Sequence, residues 1–144
     1  MSGLPNNFNP LRHDCEAKGC WNKQYRPQIE FFYHALPRKL TMSDIDAVAE
    51  VNGHFLFLEW KSHKGPLPVG QRILIQRLTE ASRAIIVVVV QHEPGNSEAV
   101  ENIMVVRNGK FGDWEECNYG DLFERVKQWA ASADVRVVSR REAE

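Results

Sequence analysis

The chain has 144 residues, 43% hydrophobic and 26% charged, which is enough apolar sequence for one globular domain with its own core. With 18 Lys and Arg against 19 Asp and Glu, the formal net charge of −1 excludes a basic field spread over the whole molecule. The longest apolar run, Ala84–Val90, is far too short to span a bilayer, and the opening MSGLPNNFNP lacks the apolar stretch of a secretory leader, so a cytoplasmic protein without membrane contact is expected.

Residues 1–24 are rich in Asn, Pro and charge and carry no sustained periodicity, which reads as an irregular arm. Pro27 stands where a helix can begin, with Ile29, Phe32, Tyr33 and Leu36 forming an apolar stripe that Pro37 terminates. A short extended piece is expected near Lys39–Met42, followed by a hairpin with strands at about 44–51 and 54–61 around the turn pair Asn52-Gly53. The loop SHKGPLPVG leads to a helix over roughly 69–82, with Gln71, Leu74, Ile75, Leu78 and Ser82 on one stripe. Strand 84–91 is apolar on both faces, as a central strand covered on both sides should be.

Beyond the polar loop HEPGNSEA, a strand at 102–107 turns at Asn108-Gly109 into a second strand near 110–115. Asp121 with Glu124 forms an expected N-cap pair for a helix through about Ala133, with Leu122, Val126, Trp129 and Ala133 facing inward. Residues 134–144 read as a frayed tail. The whole is a single α/β domain: arm 1–24, an αβββαβ core over 25–91 with a mixed central sheet, and a hairpin and helix over 102–133.

The most informative stretch is DIDAVAEVNGHFLFLEWK at residues 44–61. Period-two alternation puts Glu59 and Lys61 on one face of a strand, and the hairpin returns the strand that carries Asp46 alongside it. Two carboxylates and an ammonium thus meet at one spot, as a divalent cation and a phosphodiester require. Asp44, two residues before Asp46 and on the same expected face, competes for the metal; position relative to Glu59 favours Asp46, and Asp44 suits local turn capping. Gln71 lies on the inner stripe of its helix at the end nearest the metal strand, where a buried amide needs a partner. Lys64, Arg72 and Arg77 supply positive charge beside these residues, suited to DNA phosphates; a solvated helix face is the alternative.

An Asp, a gap and then Glu-x-Lys resembles the motif of the PD-(D/E)XK nuclease superfamily, with Asp46, Glu59 and Lys61 in the motif positions. The gap resembles that of archaeal Holliday-junction resolvases. The continuation EWKSHKGPLPVGQRILIQRLTEASRAIIVVVV is similar to the virus-type replication-repair nuclease domain, in which a Gln-bearing helix and a hydrophobic strand follow the metal strand. The likeness covers residues 44–90 well and the remainder loosely.

It implies a restriction-endonuclease-like fold and a Mg²⁺- or Mn²⁺-dependent endonuclease acting on branched or duplex DNA in recombination, repair or viral DNA metabolism. Asp46, Glu59 and the Trp60 backbone carbonyl would be metal ligands, with Glu30 of the early helix as a further carboxylate; Lys61 and Gln71 would be catalytic. Cutting two strands of a junction would call for a homodimer. The alternative is a catalytically silent module on the same fold that binds nucleic acid or a partner protein.

Other polar groups are weaker candidates. Glu16 and Glu50 are secondary carboxylates, with Glu50 expected to point away from the hairpin. His13, Cys15 and Cys20 cluster in the arm, and Cys117 or His34 would have to complete a zinc site; three cysteines in a reducing compartment fit free thiols better. His54, His63 and His92 have no partner pattern, and Trp60 is expected in the core.

Overall fold

A computed structural model describes residues 29–136, and the chain divides into two compact units, Met1–Ser43 and Asp44–Glu144. The expectations for Glu16, His13, Cys15 and Cys20 lie outside the described residues.

In the first unit, Ile29–Ala35 forms a 3-10 helix in place of the expected α-helix. Ile, Phe, Tyr and His are mediocre α-helix formers, and the segment closes on the tighter i→i+3 bond from Leu36 N–H to Tyr33 C=O at 3.1 Å. The strand expected near Lys39–Met42 is absent. Pro37–Lys39 is a second 3-10 turn, and Arg38 and Lys39 have φ of 54° and 59°, the left-handed region that breaks an extended path.

The second unit is α/β, built on one mixed six-stranded sheet. Its elements are β1 (Ala47–Val51), β2 (His54–Lys61), α1 (Val69–Ala81), β3 (Ile85–His92), β4 (Val100–Arg107), β5 (Lys110–Phe111), β6 (Glu115–Glu116) and α2 (Tyr119–Asp134). Sheet order is β1-β2-β3-β4-β5, with β6 also pairing with β4; β2 and β3 run parallel and every other pair is antiparallel. The parallel pair requires a crossover, which α1 supplies.

Both expected hairpin turns form: Asn52 and Gly53 have φ of 49° and 83°, and Asn108 and Gly109 have 52° and 75°, positive φ at both central positions. The first turn also ties in distant chain. Asn52 Nδ2 donates to the carbonyls of Ala133 (3.2 Å) and Asp134 (2.7 Å), and His54 Nε2 meets the Arg136 carbonyl at 2.7 Å. Ala133 and Asp134 end α2, where the last carbonyls have no intrahelical donor, and Arg136 lies just beyond it.

Alternation along β3 divides the core. Val87 and Val89 pack with Leu67, Ile75, Val106 and Phe57 on the α1 face. Val88 and Val90 pack with Leu56, Ile103, Cys117 and Leu122 on the α2 face, joined by Trp60, Val126 and Trp129. The double coverage expected of this strand is therefore present. On α1 the buried positions are Ile75 and Thr79. Thr79 is wholly buried, with Oγ1 donating to Ile75 C=O at 2.9 Å and accepting Gly109 N–H at 3.0 Å, so α1 is fastened to the β4–β5 turn.

Among the boundaries that differ from expectation, two have a clear local cause. The strand predicted near 110–115 is split into β5 and β6 around Gly112, whose N–H donates to Val105 C=O at 2.9 Å. A Cβ there would lie 2.9 Å from that oxygen, so the chain comes too close to β4 for any residue but glycine to continue regularly. The cap of α2 is Asn118 with Asp121 at N3, a reciprocal capping box, and not the Asp121–Glu124 pair. Asn118 Oδ1 accepts Asp121 N–H at 2.7 Å and Asp121 Oδ2 accepts Asn118 N–H at 3.2 Å, so the helix begins a turn earlier than expected.

Among the described residues no helix is long and apolar enough to cross a membrane.

Candidate active site

The hairpin places Glu59 and Lys61 at the C-terminal end of β2, with their side chains on the α1 face alongside Phe57. Lys61 Nζ stands 3.8 Å from Glu59 Oε1. Asp46 is not in the strand, as the expected 44–51 boundary would have it. The ladder ends at Ala47 opposite Leu58, and Asp46 occupies the bend before it. There its Oδ2 accepts Trp60 N–H at 2.8 Å, taking the place a further backbone carbonyl of β1 would have filled.

That bond orients a second group. In a strand the N–H and C=O of one residue point to the same side. Phe55 donates toward the β3 side, to Ala84 C=O at 2.8 Å, so Trp60, five residues on, presents its N–H and its carbonyl toward β1. The Trp60 carbonyl thus opens on the edge from which Asp46 reaches. Its indole lies on the other face, packed against the α2-side core with Nε1 donating to Ser97 C=O at 2.9 Å, as a core role requires.

Gln71, in the first turn of α1, donates from Nε2 to Glu59 Oε1. Its Oε1 is buried and has no hydrogen-bond partner. A buried amide oxygen left without a donor is costly, and it calls for a group that brings one.

Glu59 is the electrostatic centre of the site. Burial pushes its carboxyl above the ordinary 4.5, and the Asp46 charge adds to the rise; the Gln71 hydrogen bond and the Lys61 charge oppose it. The surroundings are apolar: a cavity of about 180 Å³ beside Glu59 and Gln71 is walled by Phe57, Ile75, Leu78 and Val87. Two carboxylates crowded together with one only partly hydrated favour a cation between them. Among the described residues no three His, Cys, Asp or Glu side chains converge. A hard cation such as Mg²⁺ fits this small donor set, because it is held by one or two carboxylates and keeps several waters, which would also supply the donor Gln71 Oε1 lacks.

Asp44 lines the apolar cavity rather than meeting Asp46 on a strand. Glu30 is in the first turn of the 3-10 helix of the other unit. Glu50 turns back on the hairpin, its Oε2 accepting Gly53 N–H at 2.6 Å.

Lys64, Arg72 and Arg77 occupy three different surroundings. Lys64 borders a cleft with Glu101, Glu116 and Asp121, Arg72 lies 4.6 Å over the Phe111 ring, and Arg77 is exposed on α1 about 140° around the helix from Arg72. Cys117 is a buried free thiol whose burial and carboxylate neighbours raise its pKa, the reverse of what a zinc thiolate needs.

Comparison with family models, with characterised proteins and with solved structures gives no match.

Proposed function

We propose that the chain is a divalent-metal-dependent DNA nuclease of the PD-(D/E)XK type, with a restriction-endonuclease-like core. The observation that carries this reading is the meeting of Asp46, Glu59, Lys61 and Gln71 at one end of β2, with the Glu59 pKa raised by burial and by Asp46. Asp46, Glu59 and the Trp60 carbonyl would hold Mg²⁺ or Mn²⁺. When bound, such an ion polarises the phosphodiester and eases deprotonation of water.

The chain's own groups do the rest. Lys61 orients the attacking water, or accepts its proton when in the neutral amine form, or as the ammonium offsets the charge that develops on the phosphate. Gln71 fixes the Glu59 carboxylate through its amide N–H and takes a hydrogen bond from water at its free oxygen. In the reaction the water oxygen bonds to phosphorus, the P–O3′ bond breaks, and the 3′-oxygen leaves with a proton. Branched DNA is the substrate class favoured by the resemblance to junction resolvases.

The test is cleavage of end-labelled linear, flap and four-way-junction DNA with Mg²⁺ or with chelator. Metal-dependent products from one or more substrates are expected, and they should vanish in Glu59→Gln. DNA binding with no cleavage under any of these conditions would replace the enzyme by the silent binding module.

A further inference from the structure

A second cavity, of about 330 Å³, opens between α2 and the end of the sheet remote from Glu59. Four arginines from four places in the chain line it: Arg83 after α1, Arg107 at the end of β4, Arg125 within α2 and Arg136 just beyond α2. Of these four arginines, only Arg125 has a carboxylate partner among the described residues, Glu115 at 2.7 Å. A guanidinium cannot relieve crowding by losing its proton. In a chain of net charge −1, such a concentration of arginines is a local feature and not a reflection of composition.

We infer that this cavity is a phosphate-binding site, built to take the backbone of a nucleic-acid strand. Guanidinium is the side chain suited to bidentate capture of phosphate oxygens. Arg125, Gln128, Trp129 and Ser132 follow one another at helical spacing along one stripe of α2, and Arg136 stands just beyond its end, so the polar lining is drawn out along the helix. From Arg125 to the end of α2 at Asp134 the helix rises about 14 Å, comparable to the axial rise of about four nucleotide steps of a duplex at 3.4 Å each. Ser132 and Gln128 add neutral donors.

The site is separate from the one at Glu59. β2 runs from His54 at this cavity to Lys61 at the other, roughly 23 Å at the rise of an extended strand, and Ile86 and Trp129 place the cavity on the α2 face of the sheet. The inference therefore does not depend on the nuclease reading, and it is tested by binding alone, without divalent metal.

The decisive comparison is Arg107→Ala/Arg136→Ala against Lys110→Ala/Lys127→Ala, which removes the same charge from residues that do not line the cavity. Affinity for a fluorescent DNA duplex is measured across a salt series, and melting temperature is measured with and without millimolar inorganic pyrophosphate. For the arginine pair the slope of log affinity on log salt should fall by ~1.8, two contacts at ~0.9 each, and stabilisation by pyrophosphate should disappear.

Loss of pyrophosphate stabilisation with unchanged duplex binding would keep the phosphate site and assign it to a free phosphate ligand. If neither quantity differs from the lysine control, or if wild type responds to neither probe, the inference is overturned. Should the alanine pair fail to fold by circular dichroism, Arg107→Gln/Arg136→Gln carries the same comparison.

Discussion

Replacing Glu59 by Gln should make the metal-free protein more stable at neutral pH, although it removes a group at the heart of the proposed active site. Gln preserves side-chain volume and can still accept the hydrogen bond from Gln71. What it surrenders is the attraction to Lys61 at 3.8 Å, which is about 1 kcal/mol in a water-like dielectric and ~0–1 kcal/mol in measured exposed pairs. It relieves two stronger effects, the burial of a charged carboxylate and the repulsion from Asp46, which together hold the pKa above 4.5. A net gain of ~1 kcal/mol is expected, a rise of roughly 4 °C in melting temperature.

The pH dependence fixes the cause. A carboxyl whose folded pKa is raised binds its proton more tightly in the folded than in the unfolded state. Its stabilising contribution is complete below the ordinary 4.5 and is lost as pH rises through the raised value. The advantage of Glu59→Gln should therefore be present at pH 7 and close as both side chains become neutral in acid. Thermal melts across pH 3–8 in chelator measure it. A variant less stable than wild type at pH 7, or a gap that persists unchanged into acid, would refute the electrostatic account of the site.

Further expectations follow the same geometry. Asp46→Asn keeps an acceptor for Trp60 N–H, so it should melt within ~1 kcal/mol of wild type while losing Mg²⁺-dependent cleavage; retained cleavage would remove Asp46 from the metal site. Lys61→Ala should cut the single-turnover cleavage rate at least ~100-fold with little change in DNA affinity, whereas a merely structural cation would cost only ~0–1 kcal/mol of stability. Thr79→Val should cost ~1–3 kcal/mol in denaturant unfolding, because Gly109 N–H loses its acceptor, and Thr79→Ser, which keeps the hydroxyl, should cost less.

How much of this is legible in the sequence depends on how local each feature is. Asn52-Gly53 and Asn108-Gly109 announce their turns because positive φ at two successive positions is a demand only a few residue types meet. The apolar run of β3 and the inward stripe of α2 are periodicities within one element. The Glu59–Lys61 face follows from alternation alone. Features that depend on what lies across the fold are not visible. Thr79 reads as an ordinary polar residue until the β4–β5 turn arrives above it, and Gly112 as an ordinary glycine until β4 passes beneath.

Asp46 is marked out by its spacing from Glu59, yet its role in ending the β1–β2 ladder is a tertiary fact. The cations show the same limit in reverse. Lys64, Arg72 and Arg77 are close in sequence but differ in surroundings, whereas Arg83, Arg107, Arg125 and Arg136 are dispersed in sequence and gathered by the fold.

The tie between the Asn52 turn and the end of α2 bears on how the domain breathes. Asn52 and its partner Ala133 are 81 positions apart, yet the turn that sets the β1–β2 register and the final carbonyls of the helix share one set of hydrogen bonds. Fraying of that helix end and opening of the hairpin are then a single sub-global event rather than two independent ones. Amide exchange should report it as matched opening free energies for the two segments. The strand carrying Glu59 and Lys61 would inherit its rigidity from a helix on the opposite face of the sheet, at the far end from both residues.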